Sequence, residues 1–194
     1  IALVLYNQAY STFGKSLRYA GFQTATILTT TGYVTADYEL WPHFAQIVLF
    51  SLMFIGGCSG STGGGIKVIR IVAMVKLAVT EMKSLAHPRG VFSIRLGNQV
   101  LKRDVIYTIA AFYFLYITML LVTTFVVASA NNDVLTSLAA ALVTLGNIGP
   151  GFGKIGPTGN YAYLPSYVKW FLSFAMMAGR LELYTILILL TPKF

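Results

Sequence analysis

Hydrophobic positions along this chain fall into long blocks, separated by short polar or glycine-rich interruptions. The clearest block, Val105 to Ala130, contains no Asp, Glu, Lys, Arg or His. It exceeds the roughly 20 apolar residues needed to cross the hydrocarbon layer, which predicts a spanning helix. A second block runs from Leu164 to Leu190 and is interrupted by Lys169, Arg180 and Glu182. A third, His43 to Met82, is split by the stretch Gly56–Gly65. Ile1 to Tyr6 reads as the tail of a further span, so the chain reads as a fragment whose beginning lies upstream.

Two shorter uncharged runs carry the organisation. With Gly32 and Gly149 as anchors, Phe22–Leu28 lies opposite Ala139–Leu145, and each run is too brief to span a bilayer. Such segments predict re-entrant helices, which are stable only where protein or a water-filled cavity surrounds them. An irregular stretch follows each: Thr29-Thr30-Thr31-Gly32-Tyr33 and Gly146-Asn147-Ile148-Gly149-Pro150-Gly151. After a polar connector a long helix begins, and within these helices Met53–Gly57 aligns with Met176–Arg180. The predicted fold is all-α and membrane-embedded, made of two helix–pore-loop–helix units at 1–82 and 105–194, joined by a linker at 83–104.

Composition agrees with that pattern. Hydrophobic types make up 56% and charged types 10% of the chain, against about 25% charged in ordinary soluble domains. The net charge of +8 raises nucleic-acid binding as a reading. The basic residues, however, sit mainly between Lys67 and Arg103 beside two hydrophobic blocks, without interleaved aromatics. They read as a cytoplasmic loop under the positive-inside rule. The pore loops then enter from the opposite face, with Lys15 and Arg18 outside. Cys58 is the one cysteine, which excludes a disulfide framework within the chain.

The irregular stretches suit a particular chemistry. A cation leaving water must recover its hydration from protein oxygens, and rings of backbone carbonyls supply them in potassium channels. Glycine permits backbone angles that let successive carbonyls point the same way. Thr30, Thr31, Gly32 and Tyr33 fit this logic, with threonine hydroxyls and an aromatic cuff; Asn147, Ile148 and Gly149 repeat the glycine placement. The C-terminal ends of the short helices bring about half a negative charge to the same place. Asp37, Glu39 and Asp133 fall near the expected outer mouth and read as solvated surface.

The segment Gly56-Gly57-Cys58-Ser59-Gly60-Ser61-Thr62-Gly63-Gly64-Gly65 has six glycines in ten residues and cannot sustain a helix. Unwound at mid-membrane, it must line protein or water, and we read it as a gate beneath the filter. A phosphate-binding loop is excluded, because Ile66 stands where that motif needs Lys. Arg180 falls at the matching depth of the second unit, where an arginine costs roughly 2.5–3.5 kcal/mol and generally faces a cavity or partner. The glycine-loop carbonyls are its expected partners, with Glu182 on a different side.

These four segments, with Gly179-Arg180-Leu181-Glu182-Leu183 as the fourth, resemble the TrkH branch of bacterial potassium uptake proteins. The resemblance covers the whole chain, which looks like the C-terminal half of such a protein, the third and fourth of four pore repeats. It implies a potassium pathway in the bacterial inner membrane, with filter roles for Thr31, Gly32, Tyr33, Asn147, Ile148 and Gly149. It also implies a gating loop at Cys58 to Gly65, a constriction charge at Arg180, and potassium as the ion bound and carried. The implied partners are membrane lipid, the N-terminal half of the same subunit, a second copy in a homodimer and a cytosolic nucleotide-binding ring. The channel-like subunit of an ATP-driven potassium pump shares the repeat plan, and a sodium/potassium transporter of the same superfamily is a further alternative. An intramembrane enzyme lacks a paired nucleophile and base, or a metal cluster.

Overall fold

The computed structural model describes residues 1–58, 60–61, 63–87, 90, 93–96, 99–101 and 103–181. Helices dominate. In chain order they are α1 (Ala2–Gln8), α2 (Phe13–Leu28), α3 (His43–Leu52), α4 (Val68–Ala86), α5 (Arg103–Ala128), α6 (Val134–Gly146) and α7 (Ser166–Arg180). Between α4 and α5 a two-residue ladder pairs β1 (Arg95–Leu96) with β2 (Gln99–Val100) antiparallel.

The expected span at Val105–Ala130 is α5, and by length and apolarity it suffices to cross a membrane. Phe112, Tyr116, Leu120, Thr123 and Val127 are buried along one stripe, while Tyr107, Phe114, Ile117, Leu121 and Phe125 are exposed. Both stripes follow helical spacing. An apolar exposed stripe of this length suits hydrocarbon rather than water. Its threonines agree: Thr118, Thr123 and Thr124 donate their hydroxyls to carbonyls one turn back, so none of these three hydroxyls is left unpaired.

The expected short helices both form, and both are longer than the sequence reading. The first begins at Phe13 and the second at Val134. The earlier start of α2 reflects a continuous run of helix-compatible residues in which Lys15 and Arg18 are tolerated because they remain exposed. Helix α6 packs between α5 and α7, and Ala139 to Leu145 are buried almost completely. Small alanines on α6 let its neighbours approach on all sides. Helix α2 packs on α1 and α3 through one face only, leaving Phe13, Leu17 and Phe22 exposed.

Each long helix that follows a connector starts at a proline. Pro42 precedes α3 and Pro165 precedes α7, both at φ near −60°. Their carbonyls accept the first helical bonds in the same pattern, from Ala45 and Gln46 and from Val168 and Lys169. Proline suits this position because it presets φ and has no amide to leave unpaired. The expected block His43–Met82 is accordingly two helices, α3 and α4, with the glycine stretch between them. The residues of the second block beyond Leu181, including Glu182, lie outside the described residues.

The two units meet at an aromatic cluster. Phe152 lies 5.0 Å from the Tyr38 ring and 5.8 Å from that of Phe50. Tyr38 and Phe152 are both buried. Contacts of this kind contribute about 0.5–1.5 kcal/mol each beyond area burial.

Candidate functional site

The C-terminal ends of α2 and α6 are built alike. The amide of Thr30 bonds to the Ile27 carbonyl, and that of Asn147 to the Thr144 carbonyl, each at 3.1 Å. The next amides, of Thr31 and Ile148, reach back to Thr26 and Val143 at 2.9 Å each. This bond pair is the Schellman cap, which requires a left-handed residue just past the helix. Thr30 and Asn147 fill that place, both at φ 53°. Asparagine tolerates the left-handed region, but a β-branched threonine there is a strained outlier.

Two residues further on, Gly32 and Gly149 again take positive φ, +81° and +107°. Glycine adopts such angles freely, which is the backbone freedom expected of these two positions from their spacing. The loops also touch. A methyl group on Gly32 would collide with the carbonyl oxygen of Ile148 and lie 3.4 Å from the Pro150 ring. Thr30, Thr31, Gly32, Asn147, Ile148 and Gly149 therefore form one constellation. The Tyr33 ring, expected to act as an aromatic cuff, is 72% exposed.

The glycine stretch is pinned at its base and reaches toward this constellation. Ile55 and Ile66 form an isolated parallel bridge. The Gly56 amide donates to the Ile66 carbonyl at 2.8 Å, and the Val68 amide to that of Gly57 at 3.3 Å. Beyond that neck, a side chain on Gly64 would meet the Gly146 carbonyl at 2.6 Å and the side-chain Nδ2 of Asn147 at 3.0 Å. One on Gly63 would approach the Thr30 hydroxyl to 3.3 Å. The loop thus lies against the start of both irregular stretches, and at Gly64 only glycine fits. Cys58, Gly60, Ser61, Gly63, Gly64 and Gly65 belong to it, whereas Ser59 and Thr62 lie outside the described residues.

Arg180 ends the described part of α7 and is exposed. It shares a cavity of about 200 Å³ with Ser61, Gly63 and Gly65 of the loop and with Lys67 and Arg70. The guanidinium of Arg70 lies 4.0 Å over the Phe112 ring, a cation–π contact. The expected bond from Arg180 to loop carbonyls is not made among the described residues. Arg180 lines the shared cavity instead.

Asp133 is exposed, as read from the sequence, while Asp37 and Glu39 are half-buried, and each of the three also accepts a backbone amide. Asp37 caps the short 3-10 turn Tyr38–Leu40 through the Glu39 amide at 3.0 Å. The Glu39 carboxylate takes the Gly153 amide at 2.5 Å, joining the first unit to the second. Asp133 caps α6 through the Thr136 amide at 3.0 Å. Bonds from Thr136, hydroxyl first and amide second, hold the Asp133 carboxyl below the usual carboxylate range. A group lowered on folding stabilises above its ordinary pKa, and that stabilisation is lost as pH falls through the lowered value. Asp133→Ala is therefore expected to cost about 1 kcal/mol at neutral pH. The deficit should fade in acid, as thermal unfolding in detergent at the two pH values would report.

Sequence reasoning missed two tyrosines. Tyr38 donates to the Gly151 carbonyl at 2.7 Å and Tyr161 to the Gly149 carbonyl at 2.8 Å. Burial raises both phenols above their ordinary pKa, with nearby Glu39 adding for Tyr38 and nearby Tyr163 for Tyr161. Twelve tyrosines are spread along the chain, and spacing alone marks neither.

Paired re-entrant helices, matched caps and abutting glycine loops define an integral membrane protein built from channel-like pore-loop repeats. The TrkH family model, described as a cation transport protein, matches residues 9–193, and the chain belongs to that family. It is 37% identical to the Trk system potassium uptake protein TrkH of Salmonella typhimurium over 97% of this chain and 39% of that protein. It is 40% identical to the Trk system potassium uptake protein TrkI of Halomonas elongata, over 92% of this chain and 37% of that protein. The crystal structure of the potassium transporter TrkH from Vibrio parahaemolyticus superposes with a TM-score of 0.90 at 37% identity, over 98% of this chain and 41% of that one. The chain thus spans about two fifths of the length of the curated relatives it matches.

Proposed function

We propose that this chain carries two of four pore repeats of a potassium uptake protein in the bacterial inner membrane, the third at 1–82 and the fourth at 105–194. The linker at 83–104 lies on the cytoplasmic side. The reading is carried by one observation: two loops with the same cap, at the ends of two re-entrant helices, meet at Gly32 and Ile148. Thr30, Thr31, Gly32, Tyr33, Asn147, Ile148 and Gly149 form the filter, whose carbonyls replace water around a dehydrated potassium ion, which is the cargo. The helix ends behind them add favourable dipoles.

The glycine loop, residues Cys58 to Gly65, is the gate, and Arg180 places a repelling charge at the constriction. Identity of about 37% to potassium uptake proteins and the named potassium transporter of the same fold support potassium over other cations. The remaining repeats come from the N-terminal half of the same subunit. A second copy in a homodimer and a cytosolic nucleotide-binding ring complete the assembly in lipid. A transport family offers this chain no catalytic role.

The test is growth of an uptake-deficient bacterial strain on limiting potassium. Cells carrying the full-length protein should grow at potassium concentrations at least tenfold lower than cells with an empty vector. No rescue, with the protein present in the membrane, would defeat the reading.

A further inference from the structure

The two units match closely up to the glycines and again from the prolines, but the connectors between differ. Pro42 follows Gly32 by ten residues, and Pro165 follows Gly149 by sixteen. The longer connector contains Tyr161, whose hydroxyl donates to the Gly149 carbonyl at 2.8 Å. No hydrogen bond to the Gly32 carbonyl is present among the described residues. The two glycines are equivalent in cap, φ sign and position, yet one carbonyl is engaged by a side chain and the other is not.

We propose that Tyr161 is a positioning residue of the second filter, its hydroxyl holding the Gly149 carbonyl out of the set of oxygens offered to the ion. The proposal rests on the potassium reading given above. The chemistry is direct. A carbonyl oxygen accepting a hydroxyl hydrogen bond has committed one lone pair and its orientation. An ion at that end of the filter then meets one strong dipole fewer on this side. Conduction needs sites that bind well enough to admit an ion but weakly enough to release it. A deliberately incomplete site next to the outer connector serves release and entry without loosening the sites deeper in the loop.

The neighbouring geometry keeps this bond in place. Gly151, two residues on, is tied by Tyr38 through its carbonyl and by its own amide to the Ile155 carbonyl at 2.8 Å. Glu39 anchors Gly153. The Gly149 peptide therefore hangs between a rigid cap and a rigid connector, and Tyr161 decides where its oxygen turns. Burial keeps the Tyr161 phenol protonated well beyond neutral pH, so the bond persists under working conditions.

The experiment uses the full-length protein in proteoliposomes, with potassium flux measured against potassium concentration for wild type, Tyr161→Phe and Tyr163→Phe. Phenylalanine at 161 keeps the ring and removes only the donor. Tyr163 lies in the same connector, and its hydroxyl does not bond to the filter. The expected result is that Tyr161→Phe lowers the half-saturating potassium concentration about three- to tenfold and lowers maximal flux, while Tyr163→Phe matches wild type. A half-saturation that is unchanged or raised in Tyr161→Phe overturns the proposal. An equal shift in Tyr163→Phe also overturns it, assigning the effect to connector packing. Wild-type protein that carries no potassium would instead defeat the functional reading itself, so the two failures are distinguishable.

Discussion

Gly32→Ser in the full-length protein is expected to reduce the preference for potassium over sodium at least tenfold. Two costs combine at this position. The backbone sits at φ +81°, where a residue with a Cβ is strained by about 1–2 kcal/mol. The new Cβ would also collide with the Ile148 carbonyl oxygen of the opposite loop. Relief requires either loop to move, and in the proposed function both loops supply the oxygens that discriminate. A change of 1.4 kcal/mol in relative binding is already a factor of ten. Competition of sodium with rubidium uptake reads the effect, and competition identical to wild type would remove Gly32 from the filter. Ala at Gly149 makes a useful comparison, since its Cβ meets nothing within 4 Å and only the φ strain remains.

Deleting Gly63 to Gly65 should raise ion flux about tenfold in proteoliposomes. The loop is pinned at Gly56 and Ile66, so a shorter excursion from that neck cannot reach Thr30, Gly146 and Asn147, the residues it now touches. The obstruction is withdrawn while the helices on either side keep their anchor. Arg180→Ala, which removes the positive charge from the cavity beside the loop, acts in the same direction and less strongly. Flux at the wild-type level in the deletion protein, with intact assembly by size-exclusion chromatography, would show that the loop does not obstruct.

Much of this site was legible in the residue pattern because its demands are local. Thr26 to Gly32 and Val143 to Gly149 form the same cap through bonds spanning no more than five positions. Equal spacing of glycine in two short apolar runs is therefore enough to find it. The break between α3 and α4 was equally visible, since six glycines in ten residues leave no helical alternative. Helix lengths were less legible: the first turns of α2 carry Lys15 and Arg18, and charge alone concealed a helix in which those two side chains are simply exposed.

The roles of Asp37, Glu39 and Asp133 went unread for a different reason. A carboxylate near a predicted mouth has the same appearance in sequence whether it faces water or accepts an amide. Glu39 meets Gly153 across 114 positions, and no period or motif encodes such a pairing. Tyr38 and Tyr161 are hidden in the same way, because a phenol donates wherever folding brings a carbonyl.

The sequence by itself determined the membrane setting, the duplicated plan, the glycine positions that set the loop backbone and the place where a helix must break. Each follows from apolar length or from backbone freedom, properties that a residue carries with it. Only the tertiary structure decided that Gly32 meets Ile148, that the glycine loop stops against Thr30 and Asn147, and that Tyr161 singles out one of two equivalent carbonyls. Those are contacts between distant segments, and their partners are chosen by packing geometry rather than by any local preference.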